Sequence, residues 1–345
     1  VEKNNIYHIS RITGFSPSTV SRALSNTGYC SEKTRTIIQK AADEIGFTPS
    51  SVARTMRSRQ TNRILFCIPD ICNPFYFNMI QGANDVFQQY GIYLILCYTH
   101  RLLSEELKAI ELLKSRFGDG MIFVSFDFNQ KNISAIQHCG YPVVTTNLYE
   151  IKESQNLFDC VYVDHTHAMR IATEHLIQQG HKNIAMLIGP LSEQTGRERA
   201  RGYYEAMEEA GLEIKKDYVL IGDYTKQSGE TAGKQLLSSS LPVTAVVCAN
   251  DLMAMGFLTA CSTLGVRIPQ DLALVSLDNT DYATSVLPQL TSVDMMQYAI
   301  GENAANLLLE RIKKKRNYAK KIRLEPQLII RASSVTPLPD PCLKP

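Results

Sequence analysis

The stretch Asn5-Ile6-Tyr7-His8-Ile9-Ser10-Arg11-Ile12-Thr13-Gly14-Phe15-Ser16-Pro17-Ser18-Thr19-Val20-Ser21-Arg22-Ala23-Leu24 sets the reading of the whole chain. Asn5 is a suitable N-cap for a helix with apolar positions at Ile6, Ile9 and Ile12, and Gly14 stops it. Ser16 caps a second helix, Pro17 suits its first position, and Val20 with Leu24 forms an apolar stripe one turn apart. Two short helices joined by a tight glycine-containing turn read as a helix-turn-helix. The exposed side of the second helix carries Ser18, Ser21 and Arg22: hydroxyls that suit phosphates and a guanidinium that suits a guanine edge. A third helix is expected from Ser31 through Ile37, Ile38, Ala41 and Ile45 to Gly46.

Charge supports that reading. The chain has 345 residues and a net charge of only +2, but residues 1–63 hold ten Lys/Arg against four acids, and the rest holds 26 against 30. A small basic head on a mildly acidic body suits a polyanion-binding module joined to something else. The length implies two or three domains, and 44% apolar residues against 20% charged exclude wholesale disorder. No apolar run approaches the ~20 residues of a bilayer-spanning helix. The first five residues carry no basic-then-apolar leader. Nine scattered cysteines without a C-x-x-C pair, several inside apolar strand-like runs (Cys67, Cys97, Cys248), fit a reducing compartment. A cytoplasmic location with no membrane partner is expected.

Beyond Arg63, short β-rich runs alternate with amphipathic helices. The first set comprises strands at Ile64–Ile68, Tyr93–Tyr98, Met121–Val124 and Val143–Thr145. The second opens with Val161–Val163 and continues through Ile184–Ile188, Tyr218–Ile221, Ala245–Cys248 and Leu272–Leu277. Strands separated by helices of 10–15 residues imply parallel sheets covered by helices, and two sets imply two α/β lobes with a cleft between them. Ligands in such sheets bind outside the strand C-termini. Arg197, Arg199, Asn250, Asp251 and Asp278 stand at such ends, and Asp251 reads as a helix cap or first-turn charge.

The segment Ile9–Asn26, continued by Gly28-Tyr29-Cys30-Ser31, Phe47-Thr48-Pro49 and Val52-Ala53-Arg54-Thr55-Met56-Arg57, resembles the lactose/galactose repressor family of bacterial transcriptional regulators. The resemblance runs from Asn5 to about Ser334 and implies an α/β fold class. An N-terminal helix-turn-helix head (1–47) and a hinge helix or linker (48–60) would precede a two-lobed, periplasmic-binding-protein-like core with parallel sheets (61–334). Its lobe 1 would span about 61–161 and 292–324, lobe 2 about 162–291 and 325–334, with a disordered tail at 335–345. His8, Ser10 and Thr13 depart from the family pattern, and the two hydroxyls near the packing face need partners.

Several contacts follow from the resemblance. Pro17, Ser18 and Arg22 would face bases, and Asn5, Tyr7, Ser16, Thr19, Ser21, Asn26, Tyr29, Ser31 and Thr34 the DNA backbone. Ala53, Arg54 and Met56 would form the minor-groove hinge, with Met56 as the wedge. Phe75, Tyr76, Asn147, Arg199, Tyr224, Asn250 and Asp278 would bind the effector: a planar donor fork, an amide and a carboxylate suit paired hydroxyls. The implied function is a ligand-responsive, sequence-specific repressor that binds a pseudo-palindromic operator in double-stranded DNA as a homodimer. Its effector would be a sugar or sugar phosphate. A purine corepressor is the alternative, against which Glu193 stands where the purine-responsive branch carries arginine. A solute-binding receptor is a more distant alternative, with no use for the basic head.

Other signals fail. Asp164, His165, His167 and His175 lack the three-ligand geometry of a zinc site. Gly229-Glu230-Thr231-Ala232-Gly233-Lys234-Gln235 only superficially resembles a phosphate loop, with one residue too few and Gln235 in place of Ser/Thr. No dinucleotide or nucleophile-elbow motif occurs, so no enzyme, cofactor or metal is expected. Lys313–Arg316 reads as a solvated helix C-terminus.

Overall fold

The structure, a computed structural model, describes residues 5–25, 28–47, 60–126, 128–149, 158–314 and 316–335. The chain divides at Thr61 into two compact units. The first holds three helices, α1 (Ile6–Thr13), α2 (Pro17–Ser25) and α3 (Glu32–Glu44). The Asn5 side chain accepts from the His8 N–H, and Gly14 closes α1 at φ 74°, a left-handed conformation that glycine adopts without strain. Ile9, Val20, Ala23, Ile38, Ala41 and Ala42 form its small core. Ile12 and Ile37 do not join it and are exposed, because a helix of eight to thirteen residues turns only part of its circumference inward. Both departing hydroxyls have partners: Ser10 Oγ donates to the Phe15 carbonyl (2.6 Å) and Thr13 Oγ1 to that of Ile9 (2.7 Å).

The second unit contains two six-stranded sheets. Its elements begin β1 (Arg63–Ile68), α4 (Phe75–Gln88), β2 (Tyr93–Tyr98), α5 (Leu103–Lys114), β3 (Gly120–Phe123), α6 (Gln130–Gln137), β4 (Val143–Thr145) and β5 (Asp159–Val163). They continue with α7 (His165–Gln178), β6 (Ile184–Ile188), α8 (Gln194–Glu209), β7 (Val219–Ile221), α9 (Lys226–Leu237), β8 (Ala245–Cys248), α10 (Asp251–Leu264) and β9 (Ala273–Asp278). Last come α11 (Asp281–Ser285), β10 (Thr291–Asp294), α12 (Gln297–Ile312), β11 (Lys321–Leu324) and β12 (Gln327–Ile329).

Sheet 1 runs β11-β5-β4-β3-β1-β2, all parallel, and sheet 2 runs β12-β10-β9-β8-β6-β7, in which only β12 is antiparallel. Central strands are buried on both faces, which is why they read as unbroken apolar runs (Ile64–Ile68, Ile184–Ile188). The chain therefore crosses between sheets three times, after β5, after β10 and after β11. One placement differs from the sequence reading. The Val161–Val163 strand belongs to sheet 1, so the first crossing lies a few residues later than expected, while Thr291-Ser292 closes sheet 2 and β11 ends at Leu324. An apolar parallel strand fits either sheet equally well, so composition does not discriminate between them.

Three long-range devices hold the crossings in place. Gly82 on α4 and Gly301 on α12 let those helices touch backbone to backbone: a Cβ on Gly301 would strike the Met79 carbonyl, and one on Gly82 that of Tyr298. Arg316 is no solvated charge but is buried, with Nη1 and Nη2 at 2.6 and 2.7 Å from the two carboxylate oxygens of Asp159. Finally, Ser333 and Ser334 are buried in lobe 2, where Ser333 Oγ accepts from the Thr291 N–H (2.8 Å) and Ser334 Oγ bonds His175 Nε2 (2.8 Å). His175, a weak metal candidate by sequence, is thus a core hydrogen-bonding group. Gly229 and Gly233 are likewise packing positions, set against Met253 and Ala260 of α10.

Removing Asp159 takes from Arg316 its buried bidentate partner and leaves it only Glu310, 2.7 Å from Nε on the exposed side. Asp159→Ala is expected to destabilise the protein by about 3–5 kcal/mol, read from the denaturant midpoint. A loss below about 1 kcal/mol, the range of exposed pairs, would contradict this role.

Candidate functional site

The C-terminal ends of the strands of both sheets converge on one cavity. Lobe 1 supplies Asn73, Phe75, Tyr76 and Met79 from β1–α4, Val124 and Phe126 after β3, and Thr146 and Asn147 after β4. Lobe 2 supplies Thr195 and Arg199 from α8, Tyr224 after β7, Asn250 after β8 and Asp278 at the end of β9. Val163 and His165, at the first crossing, complete the wall with Met295 and Ile300 at the second. All seven effector candidates from the sequence, Phe75, Tyr76, Asn147, Arg199, Tyr224, Asn250 and Asp278, therefore line one space. Phe126, Thr146, His165 and Thr195 were not anticipated, although the strand-end rule applies to Phe126 and Thr146.

The polar atoms of this cavity are unusually under-satisfied. Arg199 Nε, Asp278 Oδ1, Tyr224 OH and His165 Nδ1 are buried without a hydrogen-bond partner among the described residues. Arg199 donates through Nη1 to the Ala249 carbonyl, and its Nη2 lies 3.7 Å from Asp278 Oδ1, too far for a hydrogen bond. Burial accordingly dominates at Asp278 and pushes its carboxyl up to about 7; Arg199 opposes the rise and Asp251 adds to it. Burial, reinforced by Arg199, holds His165 well below the ordinary imidazole value, which keeps the ring neutral. Burial likewise raises the Tyr224 phenol to about 12.

Asn250 and Asp251 open α10, Asn250 as its cap and Asp251 as the first-turn charge that the sequence reading offered. Asn250 is the N-cap of α10: its Oδ1 accepts from the Met253 N–H (2.9 Å), and its amide donates to the Tyr224 carbonyl (3.0 Å). One N–H is left to face the cavity. Asp251 is buried behind the wall. Its carboxylate accepts from Ser276 Oγ (2.6 Å), Ser292 Oγ (2.8 Å), the Thr280 N–H (2.7 Å) and Thr280 Oγ1 (2.8 Å).

Direct contacts span the cleft. The Phe126 and Tyr224 rings stack at 5.8 Å and 12°. Arg101, in the loop after β2, lies over Phe126 (4.7 Å to the ring centre), donates to the Asp223 carbonyl (3.3 Å) and stands 4.0 Å from Glu193. Gln194 donates to the Leu148 carbonyl (2.8 Å), and His165 Nε2 lies 3.4 Å from Asn147 Oδ1.

In the head, Pro17, Ser18 and Arg22 are exposed on α2, with Arg22 Nε donating to the Ser18 carbonyl (3.3 Å). Ser16 and Ser31 play matching roles. Each accepts from a backbone N–H three residues on, and its hydroxyl meets a threonine hydroxyl, Ser16–Thr19 at 2.9 Å and Ser31–Thr34 at 2.8 Å. Each pair thus stands at a helix N-terminus, an arrangement suited to phosphate. Asn5, Tyr7 and Tyr29 are exposed, and Ser21 is half-buried. Asn26 and the hinge candidates Ala53, Arg54 and Met56 lie outside the described residues.

Comparison with known proteins places these features. Residues 5–50 match the model of bacterial regulatory proteins of the lacI family, and residues 173–334 a periplasmic binding protein-like domain. The chain is 31% identical to the HTH-type transcriptional repressor PurR of Proteus mirabilis (strain HI4320), over 95% of this chain and 96% of that one. It is 33% identical to catabolite control protein A of Priestia megaterium, over 90% and 92%. Among solved structures, a CelR–cellobiose complex is 28% identical with TM-score 0.73, covering 96% of this chain and 99% of that one. A lac repressor dimer bound to operator and the anti-inducer ONPF shares the fold at TM-score 0.86 and 22% identity, covering 96% and 99%. With a head matched by the family model and relatives at this level along nearly its whole length, the chain belongs to the lacI family of bacterial regulatory proteins, transcriptional repressors with a DNA-binding head and a ligand-binding core rather than enzymes.

Proposed function

We propose that this regulator is a cytoplasmic homodimer that senses a sugar, held between its lobes by the residues of the shared cavity. The observation that carries the reading is the convergence of four unpartnered buried groups, Arg199 Nε, Asp278 Oδ1, Tyr224 OH and His165 Nδ1, on one space. Leaving such groups unmade costs about 1–3 kcal/mol each, so a ligand that supplies partners is strongly favoured. A sugar offers alternating hydroxyl donors and acceptors around its edge and apolar C–H faces. Phe75, Tyr76, Phe126 and Tyr224 suit the faces; Arg199, Asp278 and the Asn250 amide suit the edge. Arg199 is the only Lys or Arg among the lining residues described, and it already faces a carboxyl, which favours a neutral sugar over a sugar phosphate. A sugar-binding relative, the CelR–cellobiose complex, supports the class.

On the DNA side, each head would lay α2 in a major groove with Pro17, Ser18 and Arg22 toward bases. Asn5, Tyr7, Ser16, Thr19, Ser21, Asn26, Tyr29, Ser31 and Thr34 would take the phosphates, and the Ala53–Met56 segment the minor groove. Two heads are needed because one short helix reads too few base pairs for useful specificity. The effector would control the hinge by its differential affinity for two lobe arrangements.

A thermal-shift screen against neutral sugars, sugar phosphates and purines tests the effector. A sugar at about 100 times its Kd adds about 2.7 kcal/mol of stability. Asp278→Asn is expected to abolish that gain, and a gain that survives the substitution, or is given only by purines, sinks the reading. DNA retention is expected to fall on the order of 10³-fold between about 50 and 200 mM salt and to vanish when residues 1–60 are removed. Retention by the body alone would place the DNA surface elsewhere.

The Asp278 carboxyl also has a pH signature. Its folded value of about 7 exceeds the ordinary 3.8, so between the two the folded state holds a proton that the unfolded state has lost. Its contribution to stability is full below about 4 and declines as pH rises toward about 7, by up to about 1.4 kcal/mol per pH unit. Taking wild type minus Asp278→Asn removes the slope of other acids, Asp251 included. A difference that stays flat across this window would rule out the buried, poorly paired carboxyl.

A further inference from the structure

Outside the cavity, sheet 1 carries a pair of thiols that the regulatory reading leaves unused. Strands β1 and β2 are parallel neighbours, and their register sets Cys67 directly opposite Cys97. Strand alternation puts both on the face of Leu65 and Ile95, under Ala109, Ile110 and Leu113 of α5. Adjacent strands lie about 4.8 Å apart, within the Cα separations of about 4.4–6.8 Å that a disulfide spans. Cys67 is fully buried, whereas Cys97, on the edge strand, is half-buried.

We propose that Cys67 and Cys97 form a reversible dithiol–disulfide pair that a hydroperoxide oxidises. The Cys97 thiolate attacks the peroxide, the O–O bond breaks, and Cys97 becomes a sulfenic acid as the peroxide is reduced to hydroxide or alkoxide. Cys67 sulfur then attacks the Cys97 sulfur; the S–S bond forms, the S–O bond breaks, and the Cys67 proton leaves with the oxygen as water. With hydrogen peroxide, two thiols and one peroxide give one disulfide and two waters. The order of events follows from access, since only Cys97 has an exposed flank. Thiol chemistry points the same way: contact with Cys67 lowers the Cys97 thiol below its ordinary value, while the same contact and burial raise that of Cys67.

The location gives the bond a consequence. β1 leads through a short loop into α4, which opens with Phe75 and Tyr76, and β2 leads into the loop that carries Arg101. The Thr99 N–H already donates to the Ile68 carbonyl at the strand ends (2.9 Å). A disulfide one step earlier would lock those two loops together.

The test is peptide mapping of the native full chain after hydrogen peroxide, with alkylation before unfolding. Trypsin releases Ile64–Arg101 intact, and cleavage before Asp70 and Asp85 then leaves Cys67, Cys72 and Cys97 on three fragments. The expected result is a loss of two hydrogens and a Cys67–Cys97 link that dithiothreitol reverses. A link to exposed Cys72 instead, oxidation of Cys72 alone, or a Cys67–Cys97 link seen only after denaturation would overturn the proposal. In Cys67→Ser the sulfenic acid at Cys97 should persist and take dimedone, where wild type does not. Absence of that adduct in a variant with the wild-type melting temperature would also overturn it. If the variant does not fold, the wild-type map decides alone.

Discussion

A carboxylate that sees no water organises the ligand side of this molecule. Asp251 accepts from Ser276 on β9, Thr280 at the start of α11 and Ser292 on β10, while its own backbone begins α10. Burying such a charge unpaired would cost several kcal/mol, so four donors from three further segments must arrive together. Once they do, the neighbouring atoms have little freedom. Asn250 is fixed as the cap of α10 and holds the Tyr224 carbonyl. Asp278 and Asn279 take left-handed backbone conformations (φ 105° and 50°), and Asn279 is tied to Ser292 at 2.9 Å and Asp294 at 3.0 Å. The cavity wall of lobe 2 is thus built on a hydrogen-bond network one layer behind it.

Legibility in the sequence followed the range of the interactions. Asn5, Gly14, Ser16 and Ser31 act within one turn of themselves, so the head could be read residue by residue. Strand and helix alternation announced two parallel α/β lobes, and the family resemblance picked seven cavity residues that do share one space. What failed depended on distant partners. Arg316 looks like the end of a basic run until Asp159, 157 residues earlier, is known to meet it. Asp251 is the first-turn charge the sequence offers, but its donors Ser276, Thr280 and Ser292 lie 25 to 41 residues away and are not legible from it. The Val161–Val163 strand could have joined either sheet, because what decides is its pairing with Lys321–Leu324.

The cleft itself is bridged by modest contacts: a ring stack, an arginine over an aromatic face and paired with Glu193, and three hydrogen bonds. Each is worth on the order of 1 kcal/mol or less. Such a set can hold lobes together yet yield to a ligand whose own bonds exceed it, which is the energetic scale a sensor needs. The Phe126–Tyr224 stack and Arg101 sit where a bound molecule would compete with them or be covered by them, so the same residues that shape the site also set how readily it opens.

The three crossings also determine the order in which the protein becomes itself during synthesis. The core of the head lies wholly within residues 6–47 and can close as soon as that segment leaves the ribosome. Neither lobe has that option. Sheet 1 waits for β11 at Lys321–Leu324, and lobe 2 waits for Ser333 and Ser334, which seal it from within. Until Ser333 and Ser334 are made, the nascent chain therefore carries a finished DNA-reading head and an unfinished sensor.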